Sequence, residues 1–551
     1  MLHRERILGL VILAMVLMLG ISGCTKPGTG GPEINLNLET EPPTADPALT
    51  TDRTSVQVVE LLFLGLTDFD DRTLETIPEL ANEWSVSADG LVWTFKMRQD
   101  GQWVHWDPVE QKLTKKGPVT AHDVVYGVRR SIDPATRSGY AKVNYIIRNA
   151  ERVNRGESPD IESIGVRAID DYTVEFTLEQ PAGYFPGIAG MWVNRPQPRQ
   201  AIEEHGDAWT EPGNIWTNGP YLLDTWEHDH RMVMLKNPEY FDAQNVQIAR
   251  INWEMVVETT AAFGMYERGE LDVAAPPLEE IERIQADPQL SQELHIAPEL
   301  CTYYYGFNVT KPPFDDAQVR QAFSYAIDRQ SLIDIVTKGG QLPARSFACP
   351  GIFGSVAEDP DFPAITFDPE KARALLAEAG YPGGEGLPAI TLMFNTSEAH
   401  QKIAEFIRMG WEEHLDVEVR LADQEWKVYL NTLADNPPHI WRLGWCADYP
   451  DQNNWVLQAF HPTKGANHPQ WDPSAEPARR FMELTERAAA AVDPAERRQL
   501  YFEAEKILTV DEAILAPIYY YTRVVCTKPY VNRTYASLGG EHIDRWTIER
   551  E

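Results

Sequence analysis

The first 24 residues constrain the rest of the chain most strongly, because they have the pattern of an export signal. Arg4 and Arg6 are followed by the apolar run 7–21, two small residues and Cys24. A basic start, a short apolar core and small residues before the cleavage point are typical of a secretory signal. The apolar run has about 15 residues, which is shorter than the ~20 that a spanning helix needs. The sequence therefore predicts that residues 1–23 are removed and that the remainder folds outside the cytoplasm.

Cys24 is the expected attachment point of a lipid. The sequence Ile21-Ser22-Gly23-Cys24 resembles a lipobox, in which the cysteine thiol is acylated and becomes the new amino terminus. Residues 24–32 then form a flexible tether, because their Gly/Pro-rich sequence cannot bury apolar surface. The alternative is an uncleaved anchor helix. Both interpretations place the protein on the outer face of the cell membrane or facing the periplasm.

Size and charge narrow the class of protein. Removal of 23 of the 551 residues leaves roughly 528, which is too many for one hydrophobic core and predicts two or three domains. The net charge of −34 argues against a nucleic-acid partner, because phosphates would be repelled. That charge is consistent with the solubility of an exported protein, and the alternative is that it steers cationic ligands toward the protein. We expect the protein to be a monomer.

The remaining four cysteines can pair in three ways in an oxidising compartment, and their spacing does not choose among them. The spacing is unlike that of a zinc site, so we expect neither a metal nor a cofactor. The chain also lacks a GxSxG elbow, an HExxH helix and a Walker A loop. The missing Walker A loop assigns any ATP-driven step to another subunit. Abundant carboxylates keep a secreted hydrolase as an alternative.

Hydrophobic periodicity predicts a chain of mixed α/β class. Residues 91–97 and 173–178 alternate apolar and polar side chains, which indicates half-buried strands. Apolar residues at helical spacing, with capping residues such as Thr120, Asp316 and Asp368 before them, indicate helices. The expected helices cover 120–131, a stretch around 319–327, 368–380, 475–492 and 494–510.

A series of short motifs runs in order through nearly the whole chain. They are Glu41-Pro42-Pro43-Thr44-Ala45-Asp46-Pro47, Leu62-Phe63-Leu64-Gly65-Leu66, Pro78-Glu79-Leu80-Ala81-Asn82-Glu83-Trp84, Val119-Thr120-Ala121-His122-Asp123-Val124-Val125-Tyr126, Gly219-Pro220-Tyr221, Asn237-Pro238-Glu239-Tyr240 and Ala326-Ile327-Asp328-Arg329. The series resembles the oligopeptide-binding proteins that serve bacterial ABC importers. These belong to a cluster of large extracellular solute-binding proteins that bind peptides and, in some members, nickel or sugars.

The resemblance implies a periplasmic-binding-protein-like fold of two lobes that close on ligand about a hinge. An extra domain is expected within the first lobe. The implied divisions are 33–63, 201–300 and 522–551 for lobe I, 64–200 for the extra domain and 301–521 for lobe II.

Two segments point to the oligopeptide-binding branch of that cluster. They are Gly444-Trp445-Cys446-Ala447-Asp448-Tyr449 and Cys301-Thr302-Tyr303-Tyr304-Tyr305. In that branch the two matching cysteines are bonded to each other, which implies a Cys301–Cys446 disulfide. For Cys349 and Cys526, a second bridge and two free thiols both stay open.

The resemblance also implies the roles of individual residues. Asp448 should accept the ammonium group of a peptide, and Arg442 and His400 should meet its carboxyl terminus. The remaining expected ligand-binding residues are Cys446 and the aromatic residues Trp445, Trp426, Tyr521, Tyr304 and Tyr140.

The chain departs from the branch at several places. Thr51-Asp52-Arg53-Thr54-Ser55 replaces a Glu-Gly-Val-Pro-Glu type loop, Leu433 replaces a basic residue, and residues 107–117 look like an insertion. Lys338 is one position away from a family position that serves longer peptides. The expected function is capture of short peptides for an ABC permease with separate ATPases. The alternatives are a dipeptide, a murein peptide, an oligosaccharide or nickel as ligand, or a sensing role.

Overall fold

A computed structural model describes residues 30–538 and 540–550 of the chain. The predicted signal segment and Cys24 lie outside the described residues. Among the helices within those ranges, none is both long enough and apolar enough to cross a membrane.

The described residues form 22 strands, which alternate with helices along the chain. The strands are β1 (Glu33–Asn37), β2 (Thr67–Phe69), β3 (Thr76–Pro78), β4 (Ala81–Val86), β5 (Val92–Met97), β6 (Gln102–Asp107), β7 (Lys112–Pro118), β8 (Val166–Asp170), β9 (Thr173–Thr177), β10 (Trp216–Thr217), β11 (Tyr221–Glu227), β12 (Arg231–Lys236), β13 (Arg250–Glu254), β14 (Val273–Ala274), β15 (Leu294–Phe307), β16 (Leu342–Pro343), β17 (Ile390–Asn395), β18 (Val419–Gln424), β19 (Ile440–Cys446), β20 (Leu515–Thr527), β21 (Val531–Asn532) and β22 (Thr547–Ile548).

Helices occur throughout the same ranges, and the predicted α/β class is confirmed. They are α1 (Arg53–Leu62), α2 (Ala121–Ile132), α3 (Ala150–Asn154), α4 (Phe185–Gly190), α5 (Arg199–His205), α6 (Thr259–Glu267), α7 (Ile281–Ala286), α8 (Leu290–Glu293), α9 (Ala317–Tyr325), α10 (Arg329–Leu332), α11 (Pro369–Glu378), α12 (Glu398–Leu415), α13 (Trp426–Asp435), α14 (Glu476–Ala490) and α15 (Pro494–Lys506).

Local sequence signals set the helix boundaries as expected. The backbone N–H of Thr120 donates to the Asp123 carboxylate at 2.7 Å, which completes the predicted capping box of α2. Asp316 and Asp368 accept backbone N–H groups at the starts of α9 and α11. These caps satisfy donors that the first helical turn leaves unpaired.

The strands assemble into sheets that divide the chain. A four-stranded sheet has the order β1-β13-β12-β11, and a second has the order β4-β5-β9-β8 within the predicted extra domain. The order in a seven-stranded sheet is β14-β20-β15-β19-β17-β18, with β16 paired to β20. The segment predicted as an insertion forms the turn and the outer strand β7 of a hairpin with β6.

Strands β15 and β20 are unusually long, and each crosses a boundary predicted between the lobes. They pair antiparallel from Leu294 opposite Cys526 to Gly306 opposite Leu515, with an irregularity between Pro298 and Thr302. The boundaries themselves stay predictions.

The seven-stranded sheet separates two hydrophobic cores. Tyr303, Tyr305 and Phe307 of β15 lie in the core that helices α9, α11 and α12 cover. Tyr304 lies in the other core, which α14 and α15 cover. Successive side chains of a strand point to opposite faces of its sheet, so neighbouring tyrosines of β15 belong to different cores.

Candidate ligand-binding site

The central strand β19 and the turn that follows it organise the candidate site. Cys446 is the last residue of β19 and stands directly opposite Cys301 of β15 in the sheet register. The two cysteines form a disulfide, which confirms the pairing expected from the family resemblance. Cys349 and Cys526 are buried and unbonded. The disulfide fixes the end of β19 from which Trp445 and Asp448 extend.

Removing this disulfide should lower the free energy of unfolding by about 2–4 kcal/mol, the usual range for a native bridge. The comparison is between the wild type and Cys301→Ala/Cys446→Ala in urea unfolding. A reductant should destabilise the wild type and leave the double variant unchanged, because the other two described thiols are already free. Equal sensitivity of both proteins to the reductant would contradict this assignment.

Asp448 lies at one end of the site and is held by neutral groups. Its Oδ2 accepts from Asn454 Nδ2 at 2.6 Å and from the Tyr140 hydroxyl at 3.3 Å. Asn454 Oδ1 in turn accepts the backbone N–H of Asp448 at 3.0 Å and the Trp445 indole N–H at 3.1 Å. Among the described residues, Oδ1 of Asp448 receives no hydrogen bond and the carboxylate has no cationic partner.

The electrostatics of Asp448 follow from its enclosure. Burial raises the pKa of Asp448 to about 7, although the hydrogen bonds from Asn454 and Tyr140 favour the charged form. A carboxylate held this way gains strongly from a cation that enters the site, because the cation supplies the charge compensation that the protein omits.

Arg442 lies at the other end of the site, further back along β19. Its Nη1 donates to Asn395 Oδ1 at 3.0 Å, its Nη2 donates to the Tyr521 hydroxyl, and its guanidinium lies 4.5 Å from the centre of the Tyr303 ring. Burial opposes the charged form, yet Tyr521 and Tyr303 leave the pKa of Arg442 above its ordinary value. No acidic side chain within the described ranges forms an ion pair with this buried guanidinium.

His400 adds a neutral group to the Arg442 end. Its Nδ1 lies 3.5 Å from the Tyr303 hydroxyl. Burial and the nearby charge of Arg442 hold the pKa of His400 well below its usual range. The imidazole is therefore uncharged near neutral pH and can hydrogen-bond a ligand without adding a second positive charge.

Contacts between segments that are distant in sequence surround these groups. The Trp426 indole N–H donates to Asp52 Oδ1 at 3.3 Å. Tyr140 reaches Asp448 across 308 positions of sequence. Tyr184 stacks on Tyr449 with ring centres 5.4 Å apart. The segments predicted as separate lobes are thus in contact around the site.

The structure places most of the predicted site residues in two groups. Tyr140, Trp445 and Cys446 accompany Asp448, and Tyr521 and His400 accompany Arg442. The Tyr304 ring is 1% exposed and packs edge-on against Phe347 and Trp441 at 5.1 and 5.6 Å. Tyr303, its neighbour, is the tyrosine that meets Arg442. A ligand-binding role for Tyr304 stays a prediction. Lys338 forms an ion pair with Glu282 at 3.0 Å.

Sequence reasoning did not identify Asn454 or Tyr303 as site residues. Asn454 belongs to a separate helical segment of π type, Asn453–Ala459, which returns its side chain toward Asp448. Only the register of β15 against β19 distinguishes Tyr303 from Tyr304. Tyr305 pairs with Arg442, so Tyr303 and Tyr305 lie on the same face of the sheet as Arg442.

Comparison with known proteins defines the family. The sequence profile of the family described as "Bacterial extracellular solute-binding proteins, family 5 Middle" matches residues 75–467. The chain belongs to this family. It is a solute-binding protein and not an enzyme.

Individual relatives agree with this membership over most of the chain. The periplasmic oligopeptide-binding protein OppA of Escherichia coli K12 is 34% identical over 462 residues, which covers 82% of this chain and 81% of OppA. The murein tripeptide binding protein MppA of Escherichia coli is 28% identical, with a TM-score of 0.83 over 96% of this chain and 99% of that structure.

A second MppA structure, described as the unliganded open form, gives a TM-score of only 0.62 at the same 28% identity, over 94% of this chain and 98% of that structure. The fold has two lobes, and their arrangement here differs from the open form. This agrees with the contacts that enclose the site.

Proposed function

We propose that this protein captures short peptides with free amino and carboxyl termini and delivers them to the permease of an ABC importer. One observation carries the proposal. The same strand and its following turn present the Asp448 carboxylate and the Arg442 guanidinium, and neither forms an ion pair with another of the described residues. A zwitterionic ligand supplies both missing charges at once.

Energetics support a ligand with two charged ends. An enclosed charge without a partner costs several kcal/mol, and a charge-assisted hydrogen bond contributes about 1.5–3 kcal/mol. An uncharged oligosaccharide would leave both Asp448 and Arg442 unpaired. A free peptide pairs its ammonium group with Asp448 and its carboxylate with Arg442, whose planar fork suits that anion.

The spacing of the two charges limits the length of the ligand. Asp448 follows Arg442 by six positions, so their Cα atoms are at most about 20 Å apart. An extended peptide rises ~3.3 Å per residue, so a ligand held at both ends is a peptide of only a few residues. The aromatic side chains of Trp445, Trp426 and Tyr521 offer apolar area with few polar demands, so we propose permissive side-chain pockets.

The two long strands supply the mechanism of capture. In this proposal β15 and β20 form the hinge, the segments 33–63, 201–300 and 522–551 form lobe I with 64–200 inserted, and 301–521 forms lobe II. Closure brings Tyr140 to Asp448 and Asp52 to Trp426, and it excludes water from the charged groups. Exclusion of water strengthens both ion pairs with the ligand.

The remaining steps of import involve the membrane. We propose that Cys24 carries a lipid that anchors the protein on the outer face of the membrane or facing the periplasm, and that separate ATPases drive the permease. The Gly/Pro-rich tether lets the body meet the permease. Mass spectrometry of the protein purified from membranes tests this step, since Cys24→Ala should abolish both the added lipid mass and the membrane fraction.

Calorimetric titration tests the ligand class. The refolded protein, freed of any bound solute, is titrated with Ala-Ala-Ala, its N-acetylated form and its carboxyl-terminal amide. Tight binding of the free tripeptide and a large loss with either blocked form support the proposal. Equal binding of all three, or binding of none, would contradict it and leave sugars, nickel and other solutes as candidates.

Binding should weaken as the pH falls through 7. The ammonium group pairs with the charged form of Asp448, whose pKa in the empty site is about 7, so protons compete with peptide below that value. Affinity for Ala-Ala-Ala should fall roughly 20-fold between pH 7.5 and 5.5, the change in the ionised fraction of one group. Burial and the charge of Arg442 lower the pKa of His400, so we assign the dependence to Asp448.

Calorimetry at pH 5.5, 6.5 and 7.5 measures this dependence. The variant Asp448→Asn provides the control, because its weak residual binding should be independent of pH over the same interval. A pH profile that is the same in the wild type and the variant would assign the dependence to another group.

A further inference from the structure

Arg53 has unused capacity to bind an anion. It is the first residue of α1, directly after the helix cap Asp52, and its side chain is 51% exposed. Its Nη2 donates to Glu299 Oε1 at 2.9 Å. A guanidinium carries five N–H donors. Within the described parts of the chain the other four have no acceptor.

The ion pair with Glu299 does not neutralise Arg53, because Glu299 is shared. Arg523 Nη2 lies 2.6 Å from the same oxygen of Glu299. Arg523 also pairs with Glu541, which Arg533 meets at 2.7 Å. This ladder holds three guanidinia and two carboxylates, with an arginine at each end. Arg53 is the end member beside the site and shares its paired carboxylate with Arg523.

Glu39 is a further carboxylate whose electrostatics involve Arg53. Burial raises the pKa of Glu39, and the charge of Arg53 opposes this rise. Among the described residues Glu39 forms no ion pair, so it does not occupy the free donors of Arg53.

The loop that carries Arg53 extends from one end of the site to the other. Thr51 contacts Gly139, the neighbour of Tyr140, since a Cβ built on that glycine would lie 2.8 Å from the Thr51 methyl group. Asp52 meets Trp426 in the middle. Burial raises the pKa of Tyr521, and the charges of Arg442 and Arg53 both oppose this rise. The charge of Glu299, which pairs with Arg53, acts on Tyr521 in the opposite direction and raises its pKa.

We propose that Arg53 is a specificity-determining residue that binds a ligand carboxylate which Arg442 does not hold. The inference rests on the proposed function and adds a substrate class to it. The carboxylate has two sources. One is an acidic side chain on a short peptide, and the other is the terminal carboxylate of a peptide that extends past Arg442.

Paired peptides of equal length test the side-chain source. Ala-Glu-Ala and Ala-Gln-Ala differ only in the charge of the central residue. In calorimetry the wild type should bind Ala-Glu-Ala roughly tenfold more tightly, as expected for one charge-assisted hydrogen bond. Arg53→Gln should bring the ratio of the two Kd values close to one without weakening Ala-Gln-Ala, and Arg53→Lys should restore part of the preference.

Longer peptides test the second source. Ala-Ala-Ala-Ala and Ala-Ala-Ala-Ala-Ala are compared with their carboxyl-terminal amides. If Arg53 holds the terminal carboxylate, Arg53→Gln should weaken the acids by roughly tenfold and leave the amides unchanged. A dependence on Arg53 in either arm supports the proposal and identifies the source.

Two results would overturn the proposal. One is an equal loss for every peptide in Arg53→Gln, which would indicate that Arg53 only supports the loop. The other is that Arg53→Gln changes neither the preference for Ala-Glu-Ala over Ala-Gln-Ala nor the preference for the longer acids over their amides. Arg199→Gln is the matched control, because Arg199 is 68% exposed and pairs with Glu203 on a distant helix. If Ala-Ala-Ala itself fails to bind the wild type, the proposed function fails instead.

Discussion

Asp448→Asn should weaken the binding of Ala-Ala-Ala by about 2–5 kcal/mol, or roughly 30-fold to several thousand-fold in Kd. Asparagine keeps the size of the side chain and can keep a hydrogen bond with Asn454. It removes the negative charge that compensates the peptide ammonium in the proposed complex. Calorimetry at pH 7.5 measures the loss.

The blocked peptide separates charge recognition from a general defect. N-acetyl-Ala-Ala-Ala has no ammonium group, so the wild type and Asp448→Asn should bind it with similar, low affinity. Asp229→Asn, in the exposed turn between β11 and β12, should bind the free peptide as the wild type does. A loss with Asp448→Asn that is equally large for the blocked peptide would show that Asp448 only maintains the shape of the site.

The same substitution should stabilise the empty protein at high pH. The pKa of Asp448 is higher in the folded protein, about 7, than in the unfolded chain, where an aspartate has its ordinary value. The folded state thus holds this proton more tightly, and stability is lost as pH rises through 7. The melting temperature of Asp448→Asn should exceed that of the wild type at pH 8, with little difference at pH 4.

Features that depend on neighbouring residues were predictable from the sequence. The capping box of Thr120 and Asp123 and the cap at Asp368 involve groups three positions apart, so their residue types alone indicate the helix starts. The alternation in 92–97 likewise follows from local geometry. Asp448 could be selected as a candidate because it lies within the family motif 444–449, and Arg442 because it lies two positions before that motif.

The rest of the site depends on contacts that only the folded chain creates. Asn454 is unremarkable in sequence, and a helical segment after the motif turns it back onto Asp448. The distinction between Tyr303 and Tyr304 requires the register of β15, because a shift of one position exchanges the two faces. The contact of Asp52 with Trp426 joins residues 374 positions apart. No local pattern signals such a pair.

Arg442→Gln should weaken the binding of Ala-Ala-Ala by about 2–5 kcal/mol, an effect comparable to that of Asp448→Asn. Glutamine retains a donor toward Asn395 but lacks the charge and the paired N–H groups that hold a carboxylate. Arg442→Lys should recover only part of the affinity, because a single ammonium cannot make two parallel hydrogen bonds. Calorimetry with the free peptide and with its carboxyl-terminal amide measures the selectivity.

The amide decides how the loss is interpreted. If Arg442 binds the terminal carboxylate, Arg442→Gln should lose affinity for the acid and little for the amide, so that the two Kd values converge. Equal losses for both would place Arg442 in a supporting role beneath Tyr521. Each variant affects only one end of the ligand, so each should keep the selectivity for the opposite end. Asp448→Asn should still discriminate acid from amide, and Arg442→Gln should still discriminate free from acetylated peptide.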